Sequence, residues 1–385
     1  MVSWKRFQSN RVLEDNRLPG RRCGRACAAR IRVRFGHVKG RRSRMAAEVT
    51  LDDVARKSGV SRATASRALN GRSGVKPDVR ERVRLVAKAI GYRPNRAAKN
   101  LAGGRTSVIG LVLGQEQVAV DPYGTYLVQE VGRAAERHDE GLMLLMDSAE
   151  PTEAVQNLLA DGLVDGVIIS AVAVGERWVE ELLDARMPTV LIGAHPRRSD
   201  LSVIDVENRR SAADVVGHLL DTGCRRVAAI TGPLDRVDAS RRLEGYRLAH
   251  EERSLPIDES LIIEGNFSRE FGYAAAEALF EAGVDGIFGS NDETALGVYY
   301  RAIELGVAVP DQVSVAGFDG TARPIAGVPA VTSARQPFAE LAERAVLLLI
   351  DHIEGVGEPR EELLTPTLTY GDTTRPPPPS DPESG

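Results

Sequence analysis

Thr50-Leu51-Asp52-Asp53-Val54-Ala55-Arg56-Lys57-Ser58-Gly59-Val60-Ser61-Arg62-Ala63-Thr64-Ala65-Ser66-Arg67-Ala68-Leu69-Asn70-Gly71 reads as two short helices and the turn between them. Thr50 is an N-cap candidate with Asp53 three residues on, and Leu51, Val54 and Ala55 make one apolar face. Gly59 breaks that helix, Val60 fills the corner, and Ser61 caps a second helix whose inward face is Ala65, Ala68 and Leu69. After the loop at 70–74, Val79, Val83, Val86 and Ile90 recur at helical spacing and stop at Gly91, which completes a minimal three-helix core. A short helix, a glycine turn and a second capped helix are the parts of a helix-turn-helix, whose second helix enters the major groove of DNA by its N-terminal residues. Arg62, Ala63 and Arg67 then face base edges, where arginine grips guanine O6 and N7 and the Ala63 methyl meets a thymine methyl. Ser61, Thr64, Ser66 and Asn70 are short polar groups suited to phosphate oxygens, fixing register without reading sequence. The competing reading is a helical hairpin with charged outer faces and no DNA partner. The inward apolar residues and outward hydroxyls and arginines weigh against it.

Toward the N-terminus, residues 1–48 show no helical or strand period, mix Gly, Arg and polar residues, and read as a disordered basic extension. Organised sequence begins just after Met45, a candidate translation start; a basic arm adding nonspecific DNA affinity is the alternative. Toward the C-terminus, beyond Thr106, apolar strands alternate with amphipathic helices. The strand candidates are 108–112, 142–146, 166–170, 189–193, 203–206, 227–231, 261–264, 286–290 and 313–318. Such alternation implies parallel sheets, and so many strands suit two doubly wound lobes better than one sheet. The fold expected is a small all-α head plus a two-lobed α/β domain. Ligands of open parallel sheets bind at the carboxyl ends of strands, where Ser170, Asn291-Asp292 and Asp319 lie. Residues 376–385 form a Pro-rich tail expected to be disordered.

The chain has 385 residues and a net charge of -4, which conceals a basic front on a mixed or acidic body. That is the layout of a DNA-binding head on a regulatory domain. No apolar run approaches the ~18 to 20 residues that span a bilayer, and the basic N-terminus lacks the apolar core of a secretory signal. A cytoplasmic location is expected. Cys23, Cys27 and Cys224 cannot build a disulfide framework, and no second ligand pair follows the first two at zinc-finger spacing, so they read as unpaired thiols. There is no Walker loop, no Gly-x-Ser-x-Gly elbow and no His-Glu-x-x-His. The six histidines (His37, His138, His195, His218, His250 and His352) sit beside no nucleophile. His218 is read as a helix-surface residue. No catalytic role, metal or cofactor is expected.

The opening pattern of Thr-Leu, Asp-Val-Ala, Gly-Val-Ser, Thr, Ser-Arg and Leu-Asn-Gly resembles the LacI/GalR family of bacterial repressors. The resemblance continues through Gly91-Tyr92-Arg93-Pro94-Asn95 to about Arg375. It implies a helix-turn-helix domain at 49–93 and a hinge helix with linker at 94–105. A two-lobed, periplasmic-binding-protein-like effector and dimerisation domain is implied at 106–375. Thr50, Leu51, Tyr92, Asn95, Arg96, Ala98 and Leu101 join the DNA-binding set, with Leu101 as the minor-groove wedge of a hinge helix too short to be stable alone. A flexible linker with an incidental leucine is the alternative. In the larger domain Gly232-Pro233-Leu234, Asp238, Arg242 and Gly245-Tyr246 resemble the effector-binding segment. Arg242, Asn291 and Asp319 fall at effector-contacting positions, with Asp238, Phe267 as a stacking ring, Tyr123, Ser170 and Gln336 around them. Such a set suits a polyhydroxylated ligand.

Several positions depart from the family's pattern: Glu207-Asn208 stands where Asp-Asn is common, Gly320 replaces a polar residue, 114–120 is longer, and Gly193 lacks a carboxylate. These leave the ligand's identity open between a sugar or sugar derivative and a purine-type corepressor. No C-terminal heptads follow, so a homodimer on a pseudo-palindromic operator is expected rather than a coiled-coil tetramer. The resulting expectation is a repressor switched by a small molecule. A ligand-binding protein without specific DNA recognition is its rival.

Overall fold

A computed structural model describes residues 49–69, 73–92, 105–114, 122–147, 162–170, 187–194, 201–322 and 327–376. The predicted extension at 1–48, most of the predicted hinge at 94–105, and the sites Asn70, Asn95, Arg96, Ala98 and Leu101 lie outside them. The chain divides into two compact units, one ending at Arg93 and one beginning at Pro94.

In the first unit α1 (Leu51–Ser58), α2 (Arg62–Leu69) and α3 (Pro77–Ala89) enclose Val54, Ala55, Ala65, Ala68, Val83 and Ala87, with Leu51, Leu69, Val79, Ile90 and Tyr92 packed at the rim. The start of α1 is a reciprocal capping box. The Asp53 N–H donates to Thr50 Oγ1 at 3.3 Å, and the Thr50 N–H donates to Asp53 Oδ2 at 3.0 Å. Gly59 ends the helix in the left-handed region at φ 65°, where a side chain is strained. Pro77 opens α3, where its missing N–H costs nothing.

Among the described residues the second unit is two lobes, each built on a six-stranded sheet. The first sheet has the order β11-β5-β4-β3-β1-β2, with β1 at Val108–Gly114, β2 at Gly141–Asp147, β3 at Gly166–Ser170, β4 at Thr189–Ile192, β5 at Ser202–Val206 and β11 at Glu361–Leu364. The second has the order β12-β10-β9-β8-β6-β7, with β6 at Val227–Thr231, β7 at Ile262–Glu264, β8 at Gly286–Gly289, β9 at Ser314–Asp319, β10 at Thr332–Arg335 and β12 at Thr367–Thr369. All pairings are parallel except β10 with β12. The central strands are apolar on both faces because helices cover both, as parallel sheets require. These helices are α4 (Pro122–Arg137), α5 (Asn208–Asp221), α6 (Val237–Glu252), α7 (Arg269–Glu281), α8 (Asp292–Leu305) and α9 (Phe338–Ile353).

The chain passes between the lobes after β5, after β10 and after β11, and one apolar cluster runs through both, from Ile109, Leu127 and Leu348 to Val215, Tyr246 and Phe318. The nine expected strands all form. β10, β11 and β12 were not anticipated; they are short and polar, and Thr332 and Ser333 in β10 are buried with their hydroxyls bonded. His218 corrects an expectation: it is 6% exposed, its Nε2 is 2.8 Å from Thr374 Oγ1, and its ring lies 4.9 Å from that of Tyr370. The cause is the segment after β12: α5 has an exposed face at Arg209, Arg210, Asp214 and Asp221, and Tyr370 and Thr374 cover the neighbouring position, His218. Burial pushes the His218 imidazole below its usual range. Among the described residues no helix is long and apolar enough to cross a membrane.

Candidate functional site

Two surfaces carry chemistry. On the head, α2 buries Ala65 and Ala68 and leaves Ser61, Arg62, Ala63 and Arg67 exposed, with Thr64 and Ser66 half-buried. Helical period alone produces this: the inward alanines are three apart, and the groups expected to meet DNA fill the remaining faces. Ser61 caps the helix, accepting the Thr64 N–H at 3.1 Å, and the two hydroxyls lie 2.8 Å apart. The Arg62 guanidinium has a 3.5 Å ion pair with Asp52 and is otherwise extended into solvent. Thr50 spends its hydroxyl on Asp53, while Leu51 and Tyr92 pack against the head's core.

In the larger unit the carboxyl ends of both sheets face one cleft, lined by Tyr123, Gly193, Asp205, Asn208, Arg236, Asp238, Arg242 and Gln336 among others. Arg242 is its hub. From the buried face of α6 its Nε donates to Asn208 Oδ1 at 2.9 Å and its Nη1 to the Ser290 carbonyl at 2.7 Å. Its Nη2 lies 3.1 Å from Asp319 Oδ1, and the guanidinium carbon sits 3.8 Å over the Phe318 ring. Asp319 also accepts from Gln336 Nε2 at 2.6 Å. Burial pushes the Asp319 carboxyl up, against the pull of Arg242 and Gln336. Asp238 is likewise resisted by burial, but Arg236 and Arg242 prevail and hold its carboxyl below the ordinary range. Its two oxygens are gripped by Arg236 at 3.2 and 2.8 Å.

Tyr123 enters from α4, fixed edge-on to Phe338 at 5.4 Å. Burial raises its phenol above the usual range; the neighbouring Ser170 side chain lowers it, and Asp319, Asp238 and Asp205 raise it further. Phe267, at φ 63°, lies over Gly232 and 5.1 Å from the Arg236 guanidinium. Asn291, 1% exposed, is occupied within the protein: its oxygen caps α8 by accepting the Thr294 N–H, and its amide donates to the Phe267 carbonyl at 2.8 Å. It therefore orients Phe267. Of the eight expected effector residues, Tyr123, Asp238, Arg242 and Gln336 line the cavity, and Ser170, Phe267, Asn291 and Asp319 stand around or behind them.

Asp205, Asn208 and Arg236 were missing from the expected set. Asp205 is the one charged residue of β5, next to its last residue Val206, and that position at the carboxyl end of the strand was the available signal. Burial lifts its carboxyl to about 6. The cavity between these side chains is about 20 Å³. A larger one of about 420 Å³, lined by Tyr126, Arg269, Glu293, Leu296 and Tyr300, includes none of the expected effector residues. Its Arg269 and Glu293 already form a two-bond ion pair at 2.9 and 3.0 Å.

Comparison with known proteins agrees with this division. Residues 50–95 match the family model described as bacterial regulatory proteins, lacI family, and residues 216–374 match a periplasmic binding protein-like domain. The chain is 32% identical over 316 residues to catabolite control protein A of Priestia megaterium, covering 79% of this chain and 92% of that protein. A solved complex of the transcriptional regulator CelR with cellobiose is 30% identical with a TM-score of 0.65, covering 84% of this chain and 99% of that one. The lac repressor dimer bound to operator and the anti-inducer ONPF is 27% identical with a TM-score of 0.71, covering 85% and 99%. The chain belongs to the LacI family of bacterial regulatory proteins.

Proposed function

We propose that this protein is a sequence-specific transcriptional repressor that binds operator DNA through the α2 face and is switched by a sugar held between its lobes. The observation that carries the reading is the pairing, in one chain, of an exposed Ser61-Arg62-Ala63 helix start with a polar cleft built on Arg242. Two heads from a homodimer occupy successive major grooves, and the ligand acts by favouring one lobe arrangement over another. A hundredfold preference between the two states is worth about 2.7 kcal/mol. As a DNA-bound regulator it acts in the cytoplasm and catalyses no reaction. The complex of a relative with cellobiose favours a sugar.

The test is selection of genomic DNA fragments by the full-length protein at a stated salt concentration. Affinity for the selected site is then measured with and without sugars and purines. A palindromic site whose affinity moves with one sugar is expected. A purine response would replace the ligand class, and recovery of no preferred sequence would leave a ligand-binding protein without specific DNA recognition.

A further inference from the structure

The charges in the cleft are already matched. Arg236 is held by both oxygens of Asp238, Arg242 by Asp319, and Arg241 reaches Asp205 at 3.4 Å. An anionic ligand entering here finds no unpaired cation among the described residues and adds a net negative charge to a buried site, which is costly without a partner. An uncharged ligand leaves the balance intact.

Asp205 has acceptor capacity to spare. It is 5% exposed and lines the cavity from the end of β5. Its Oδ1 accepts the Val206 N–H at 2.7 Å and Asn208 Nδ2 at 3.1 Å, whereas among the described residues Oδ2 has only the long contact with Arg241. A carboxylate can accept about four hydrogen bonds, so Oδ2 can take hydroxyl donors at no cost in charge. We propose that Asp205 selects an uncharged, hydroxyl-donating sugar over its phosphorylated or carboxylated counterparts. This rests on the sugar reading given above.

Hydroxyl donation is strongest to the ionised carboxylate, since protonation turns one of its oxygens into a donor and weakens the other as an acceptor. The groups facing Asp205 are Asp238, Arg241 and Arg242 from α6 and Tyr123 from α4. Asp238 stays ionised and the raised Tyr123 stays neutral across the accessible range. Asp205, pushed up to about 6, changes charge there; so does Asp292, pushed up to about 7 by burial, but it does not line the cavity, and Asp205→Asn separates the two. Asp319 is also raised but is clamped by Arg242 and Gln336. A neutral sugar therefore binds more weakly as pH falls through 6, by about tenfold between pH 7.5 and 5. An anion helped by protonation would show the opposite slope.

The experiment is isothermal titration of the full-length dimer with glucose, cellobiose and maltose, with glucose 6-phosphate and gluconate, and with hypoxanthine and guanine. The strongest binder is repeated at pH 7.5 and 5. Asp205→Asn, which keeps the side-chain shape and one acceptor, is titrated beside the parent after circular dichroism confirms its fold. Binding of a neutral sugar that weakens about tenfold at pH 5 is expected, with a weaker and pH-flat Asp205→Asn. A sugar phosphate or gluconate as the tightest binder, or a flat profile in the parent protein, overturns the role of Asp205 and leaves the sugar reading standing. A purine binder, or no response to any sugar, removes the sugar reading and this inference with it.

Discussion

Arg242 is 3% exposed and pairs with Asp319 where neither can reach bulk water. Arg242→Met is expected to lower stability by about 3 to 5 kcal/mol, since it leaves a buried carboxylate without its counter-charge. Asp319→Asn added to it should restore part of the loss. Urea unfolding of the two single variants and the double checks this, and a double-variant loss equal to the sum of the single losses would show that the pair is not coupled. Arg62 is the opposite case, its side chain 71% exposed with one long ion pair to Asp52. Arg62→Ala should change stability by less than about 0.5 kcal/mol. Operator affinity should nonetheless fall by about 1 to 3 kcal/mol, with relaxed preference at one base pair. Thr64→Ala should weaken all sites alike, and selection experiments on both variants distinguish the two. These contrasts bear on what the amino-acid string alone discloses. The head's outward residues were legible because an eight-residue helix sorts its faces by period. Arg242 was legible through resemblance. Asp205, Asn208 and Arg236 were not, because their role depends on two lobes meeting, and no local pattern records a contact between distant segments. His218 misled for a related reason: it borders the exposed face of α5, and the residues that cover it, Tyr370 and Thr374, are distant in sequence.

At the scale of elements, α7 and α8 are held together by mutual close approach. A Cβ placed on Gly297 would lie 2.0 Å from the Arg269 carbonyl oxygen, and one on Gly272 would lie 2.2 Å from that of Thr294. Backbone cannot yield as a flexible side chain can, so Gly297→Ala must force the helices apart. It is expected to cost about 1 to 3 kcal/mol or more, as overpacking does. Gly132 in α4 supplies the control. A Cβ there meets only Leu142 Cδ2 at 3.6 Å, an ordinary contact, so Gly132→Ala should stabilise by about 0.5 to 1 kcal/mol through helix propensity. Thermal unfolding of both variants tests the pair of signs, and a Gly297→Ala protein as stable as its parent would mean that the helices separate freely. Neither glycine could be ranked from the sequence, where each is a small residue inside a helical pattern. The long apolar strands were readable for the converse reason: β1 and β6 are buried on both faces and spell this out in consecutive apolar residues. β10 satisfies burial with hydroxyl hydrogen bonds, and β11 and β12 are short edge strands, so none of these three shows a run.

At the scale of the molecule the two lobes are closed on each other. The cleft cavity of about 20 Å³ holds about one water, against the roughly 300 to 1,000 Å³ of pockets that enclose small ligands. Asp205, near the end of β5 in one sheet, meets Arg241 of α6 beside the other. A cavity of that size does not hold a sugar, so binding beside Asp205 and Arg242 requires the groups that line it to move apart. The three chain passages, after β5, β10 and β11, are where the backbone can absorb such a rotation. If opening precedes binding, the observed rate must converge on the opening rate at high ligand concentration, falling toward it where dissociation is faster than opening and rising toward it where dissociation is slower. The equilibrium affinity must also be lower than that of the open form by the fraction open. Stopped-flow fluorescence of the full-length protein against increasing concentrations of the sugar identified by titration measures this directly. A plateau is expected, at a rate independent of which neutral sugar is used, because opening belongs to the protein and not to the ligand. A rate that climbs linearly to the highest concentration, with a different slope for each sugar, would mean that the ligand reaches its site without lobe opening, and the switch would then have to work through side-chain rearrangement within a closed cleft.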